Sequence, residues 1–163
     1  MYSLLENDEN SVPLEPIVVF TAFSIEAYLN ALGARVVPFW DEIERSSWRS
    51  KICILHTVAG KDADWGAHPL QFAAEVFKLR DKLAHGRAET VLGPIVSLEV
   101  ERSKLLLEGP IPRPKWYDDI DVAWVKGARS RLTNLLSYLA FLLGFSEQDY
   151  MRAVSCKVRV VED

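Results

Sequence analysis

The segment KLRDKLAHGR holds the side chains with the greatest chemical reach in this sequence, Arg80 and His85, with four residues between them. An arginine offers a fixed fork of donors that matches phosphate oxygens and keeps its charge at any working pH. A histidine titrates near neutrality, so it can take a proton from a hydroxyl or return one to a leaving oxygen. Asp81 stands four residues before His85, about 40° away around a helix, close enough to orient the imidazole or pair with it. Lys78, Lys82 and Arg87 complete a short basic stretch in which Asp81 is the single acid. Together these residues suit the handling of a phosphodiester.

Helical geometry sets a condition on that reading. Five residues at about 100° each put Arg80 and His85 some 140° apart. Either the last turn unwinds before Gly86, or a second copy of the helix completes the site.

Other residues carry weaker signals. Cys53 and His56 fall at a C-x2-H spacing, with His68 and Cys156 as conceivable further ligands. There is no second close pair, so a buried thiol and a loop histidine are the better readings and no metal site is expected. Glu26 lies on a largely apolar helix, either as a buried carboxylate facing a cleft or as an exposed edge pairing with a base such as Arg129 or Arg131. Lys126, Arg129 and Arg131 form a second small basic cluster, read as a solvated face. The five tryptophans (Trp40, Trp48, Trp65, Trp116, Trp124) are not interleaved with bases along the chain, so they read as core or interface anchors rather than a stacking platform. No G-x-S-x-G, phosphate-binding glycine loop or H-E-x-x-H occurs, and no cofactor is implied.

The elements that must position these residues read as helices. Residues 1–13 look like a solvated arm. Pro16 suits the first turn of a long helix in which Val18, Ala22, Ile25, Leu29 and Leu32 form one apolar stripe and Val19, Phe23, Ala27 and Ala31 an adjoining one. That is broader than a single core needs, which predicts a partner face and a two-fold homodimer. Pro38 opens a short helix, FWDEIERS, and another runs from Ser47 to Val58. Pro69 starts the helix that ends at Gly86, a natural left-handed cap. Residues 88–118, with Pro94, Pro110, Pro112 and Pro114, predict a small extended or hairpin excursion outside the bundle. Asp118 or Asp119 can cap a last long helix from Ile120 to Leu143, stopped by Gly144. Ser146 with Asp149 suggests a final short helix, and CKVRVVED a short strand.

Size and composition fit one domain of 163 residues, 49% apolar and 26% charged, which excludes a disordered or low-complexity chain. The net charge of −4 is local: Glu6, Asp8, Glu9 and Glu15 account for it, and the remainder balances at 19 against 19. A general nucleic-acid coat is therefore excluded, while one local site is not. Two cysteines give no disulfide framework, and the acidic start is unlike a signal peptide. The unbroken apolar runs IVVFTAF and LAFLLGF fall short of the ~18–20 residues that span a bilayer. A soluble cytoplasmic protein is expected.

From Phe20 to Arg87 the chain resembles the HEPN family (higher eukaryotes and prokaryotes nucleotide-binding domain). The resemblance rests on the long helix FTAFSIEAYLNALG, the short helices after it, and RDKLAHG, which is similar to the family's motif of Arg, four to six residues, then His. It implies an all-α up-and-down helical bundle that dimerises with the two motif helices facing across a cleft. It also implies a metal-independent ribonuclease, as in toxins and antiphage effectors that an antitoxin or regulatory protein holds in check. Arg80 would bind phosphate and His85 would do acid/base work on the 2′-hydroxyl or leaving oxygen. Asp81 falls where the family commonly has a polar residue, and an acid there partly neutralises Arg80. Arg87 stands where one toxin subset has a tyrosine. The alternative expectation is a non-catalytic module of the same fold that dimerises or binds a partner protein or nucleotide.

Overall fold

The computed structural model describes residues 13–86 and 114–146, and every described element is helical. The solvated arm, most of the excursion, Arg87, Asp149, Cys156 and the strand-like tail lie outside the described residues. The helices are α1 (Glu15–Val36), α2 (Trp40–Ile43), α3 (Trp48–Val58), α4 (His68–Ala84), a 3-10 turn (Lys115–Asp119) and α5 (Val122–Leu142). The all-α expectation therefore holds.

α1 is the central helix because its first stripe is apolar without interruption. Val18, Ile25, Leu29 and Leu32 are fully buried, and the helix packs on α3, α4 and α5. Leucines of α3, α4 and α5 (Leu55, Leu70, Leu135, Leu139) close the same core. Burying each such side chain contributes about 1.5–3 kcal/mol, which outweighs α1's lack of a side-chain cap. The adjoining stripe is not covered: Phe23 is 56% exposed, and Phe20 beside it is 67% exposed. By length and composition α1 could also cross a bilayer, with a window of mean hydropathy 1.5 of which 44% is buried. Thr21, Ser24, Glu26 and Asn30 interrupt its apolar runs, yet the window average stays at 1.5, so unbroken runs underestimate it.

Local chemistry sets the helix ends. Ser47 caps α3, its hydroxyl accepting from the Ser50 N–H. The first helix after α1 is shorter than FWDEIERS, one turn from Trp40 to Ile43. The last long helix is capped by Asp121, not by Asp118 or Asp119, which belong to the 3-10 turn; the Asp121 carboxylate accepts from the Trp124 N–H at 2.6 Å. Gly144 stops α5 with φ +78°, as anticipated. Gly86 is not left-handed, because α4 already ends at His85, whose φ −121° and ψ 35° leave the helix without a positive φ. The described end of the excursion is the 3-10 turn, not a strand. Pro114 precedes it in an extended conformation and so fixes its entry.

Candidate functional site

One face of α4 organises the site. Phe77, Lys78, Asp81, Lys82 and His85 recur at helical spacing, and all border a cleft of about 800 Å3. Its facing walls come from Trp48 and Arg49 of α3 and from Trp116 of the 3-10 turn. Among the lining residues three permanent cations (Arg49, Lys78, Lys82) stand against one carboxylate, Asp81. Lys78 and Lys82 also border a smaller recess of about 350 Å3 whose acids are Glu75 and Asp119.

α4 stays helical through Ala84, so no unwinding brings Arg80 and His85 together. Arg80 is not among the residues lining the cleft. Its Nε lies 3.1 Å from Asp81 Oδ1, yet that buried nitrogen makes no aligned hydrogen bond; the contact is a Coulombic pair, not a directed one. The Arg80 guanidinium also lies 5.2 Å from the Phe77 ring centre. Asp81 meets His85 through the backbone: the His85 N–H donates to the Asp81 carbonyl at 2.8 Å. This contact fixes the place where the exposed His85 leaves the helix, while the Asp81 carboxylate turns to Arg80.

The tryptophans are core anchors, as their order in the chain implied: Trp40 and Trp124 are buried, and Trp48, Trp65 and Trp116 pack against the core, yet Trp65 and Trp116 also meet bases in space. Trp48 stacks on Phe77 with ring centres 4.5 Å apart and planes 3° from parallel, and Trp65 meets Trp48 edge-on at 5.8 Å. The Arg49 guanidinium lies 4.1 Å from the Trp65 ring centre, and Lys82 Nζ lies 5.6 Å from that of Trp116. Aromatic rings and bases are thus interleaved in space although they are not in sequence. Four separate segments (α3, the loop holding Trp65, α4 and the 3-10 turn) supply them, and only folding brings the segments together. The signal available beforehand was the helical phase that puts Lys78, Asp81, Lys82 and His85 on one side of α4.

The remaining candidates fall elsewhere. Cys53 is exposed, not buried, because its position on α3 points away from Ile52 and Leu55. His56 is not a loop residue but is buried on α3, with both ring nitrogens engaged by Ile52 and Tyr138; His68 opens α4. Among the described residues no group of three or more His, Cys, Asp and Glu side chains gathers as a metal site. Glu26 is half-exposed and pairs at 3.3 Å with Lys51, which is 1% exposed. Arg131 is not simply solvated: it pairs with Glu75 of α4 and lies over the Phe72 ring at 4.4 Å. Trp124 donates its indole N–H to the same Glu75, so one carboxylate ties α4 to α5. Burial and the charge of Asp64 hold the Tyr138 phenol above the ordinary tyrosine value.

No family model, curated protein or solved structure matches the chain.

Proposed function

We propose that the protein is a metal-independent endoribonuclease of HEPN type, acting as a homodimer in toxin or defence biology. The observation that carries this reading is the placement of His85 on the same cleft as Lys78 and Lys82, one helix face presenting an acid/base group beside two phosphate-binding cations. In the proposed reaction the 2′-hydroxyl oxygen of the substrate attacks its adjacent phosphorus, and the bond from phosphorus to the 5′-oxygen breaks. His85 removes the proton from the attacking hydroxyl or delivers one to the leaving oxygen. Lysine charge compensates the non-bridging oxygens as negative charge builds there. The products are a 2′,3′-cyclic phosphate and a 5′-hydroxyl.

Arg80 enters this scheme through a second copy. On one continuous helix it faces away from His85, so a two-fold pair of chains is the arrangement that lets one copy's Arg80 serve the other's His85. The exposed phenylalanines of α1 give such a pair an apolar surface to bury. Incubating purified protein with a mixed RNA pool in excess EDTA tests the proposal. Cleavage with cyclic-phosphate ends, lost in Arg80→Ala and His85→Ala, supports it; chelator-sensitive cleavage, or full activity without His85, rejects it.

A second reading is favoured by one observation, the Arg80–Asp81 pair at 3.1 Å. A paired arginine outside the cleft suits a non-catalytic module that binds a partner or a nucleotide. Binding of the RNA pool without scission is the outcome that selects it.

A further inference from the structure

We propose that the cleft bounded by Trp48, Phe77 and Trp116 is a stacking pocket for one unpaired guanine of single-stranded RNA, whose Watson–Crick edge is read by Asp81. The inference rests on the reading that the His85 cleft receives RNA, and it adds which RNA and by which contacts.

The walls define the class of ligand. Trp48 and Trp116 are half-buried and reach the cleft from different elements, and the buried Phe77 ring stacked behind Trp48 holds that indole rigid as the cleft's aromatic wall. A planar base lying on such a wall gains a stacking contact that a base inside a duplex cannot offer, since both its faces are already covered. A cleft of about 800 Å3 holds a nucleotide with its flanking phosphates, which Arg49, Lys78 and Lys82 are placed to neutralise. Lys82 lies near the Trp116 ring as well, so cation and aromatic surface meet on that wall.

Asp81 defines the base. Among the described residues it is the only acid lining the cleft; its Oδ1 also lies 3.1 Å from Arg80 Nε, and each oxygen of an ionised carboxylate keeps a further lone pair with which it can only accept hydrogen bonds. Guanine presents two adjacent donors, N1–H and the 2-amino group, spaced to meet two carboxylate oxygens. Adenine and cytosine offer one amino group beside a ring nitrogen whose lone pair repels a carboxylate. Uracil offers one N–H between two carbonyl oxygens. A lone carboxylate in an aromatic cleft therefore selects guanine. Asp81 is 56% exposed and its link to His85 runs through the backbone carbonyl, so exchanging its carboxylate leaves that link in place.

The test uses full-length protein and 2′-O-methyl uridine pentamers with G, A, C or U at the centre, which cannot be cut by 2′-hydroxyl attack, with binding read by fluorescence anisotropy. The G pentamer is expected to bind about tenfold tighter than the U pentamer, and the same G within a hairpin stem to bind no better than U. Trp116→Leu should weaken all four pentamers by about tenfold. Asp81→Asn, a change at the surface that leaves the core untouched, should remove the advantage of G alone. Equal affinity for the four pentamers, equal affinity for the paired and unpaired G, or a G preference that survives Asp81→Asn overturns the proposal. So does guanosine monophosphate binding as tightly as the G pentamer, because the pocket would then serve a free nucleotide. Selective pentamer binding by a protein that cuts no RNA removes the ribonuclease reading and leaves this one standing; cleavage without selectivity does the reverse.

Discussion

The His56 imidazole accepts from the Tyr138 hydroxyl at Nε2, a 2.8 Å contact that joins α3 to α5 across 82 positions of sequence. The tautomer follows from the other nitrogen. Nδ1 lies 2.8 Å from the Ile52 carbonyl oxygen, which can only accept, so Nδ1 carries the hydrogen and Nε2 the lone pair. Tyr138→Phe leaves that buried lone pair without a donor, and the expected loss is about 1–3 kcal/mol of unfolding free energy, measured by urea titration at neutral pH.

The same tyrosine gives an alkaline signature. Its ionisation is held above 10 by burial and by Asp64, so the folded state keeps the proton where the unfolded chain has lost it. The stability this contributes is fully present below about pH 10 and is lost as pH rises through the folded value. Urea midpoints collected from pH 8 to 11 should fall more steeply for the native protein than for Tyr138→Phe. Parallel curves would contradict this.

Removing the imidazole with His85→Ala should lower cleavage by about 10²–10⁴-fold while leaving the unfolding midpoint unchanged, since the side chain is exposed. Asp81→Ala should cost less, because the backbone carbonyl that holds His85 survives the substitution. An Asp81 variant as inactive as the His85 variant would assign the carboxylate a direct part in proton transfer.

Gly33 lies against the Trp40 indole, where a β-carbon has no room. Trp40 is 2% exposed and cannot swing aside without opening the contact between α1 and α2. Gly33→Ala should therefore destabilise by about 1–3 kcal/mol despite alanine's better helix propensity. Ala27→Gly, on the exposed side of α1, is the control and should cost no more than about 1 kcal/mol.

Sedimentation should find a dimer at tens of micromolar, and Phe23→Glu should give a folded monomer, because a carboxylate at that exposed site costs nothing until a second apolar surface covers it. A wild-type monomer at that concentration removes the assembly on which the role of Arg80 depends.

The helices were legible because burial follows helical phase: the stripe from Val18 to Leu32 read in sequence is the stripe buried in the core. The separation of Arg80 from His85 was legible too, since 100° per residue holds along an unbroken helix. What escaped were relations between distant segments. Nothing near His56 announces Tyr138, nothing near Lys82 announces Trp116, and Glu75 gives no sign that Arg131 and Trp124 will hold it. Gly86 misled for a local reason, because a helix can end through its last residue's own ψ before any glycine is needed.

Trp116, the cleft wall contributed by the 3-10 turn, has a consequence for the order of events during synthesis. His85 leaves the ribosome 31 residues before Trp116, an interval of roughly 2–6 s at about 5–20 residues per second. Throughout that interval the growing chain carries its histidine and lysines but lacks the Trp116 wall of the cleft. If the proposed ribonuclease activity holds, a protein that attacks RNA is made beside the messenger that encodes it, and a binding wall translated late would delay assembly of the site until after its histidine has emerged.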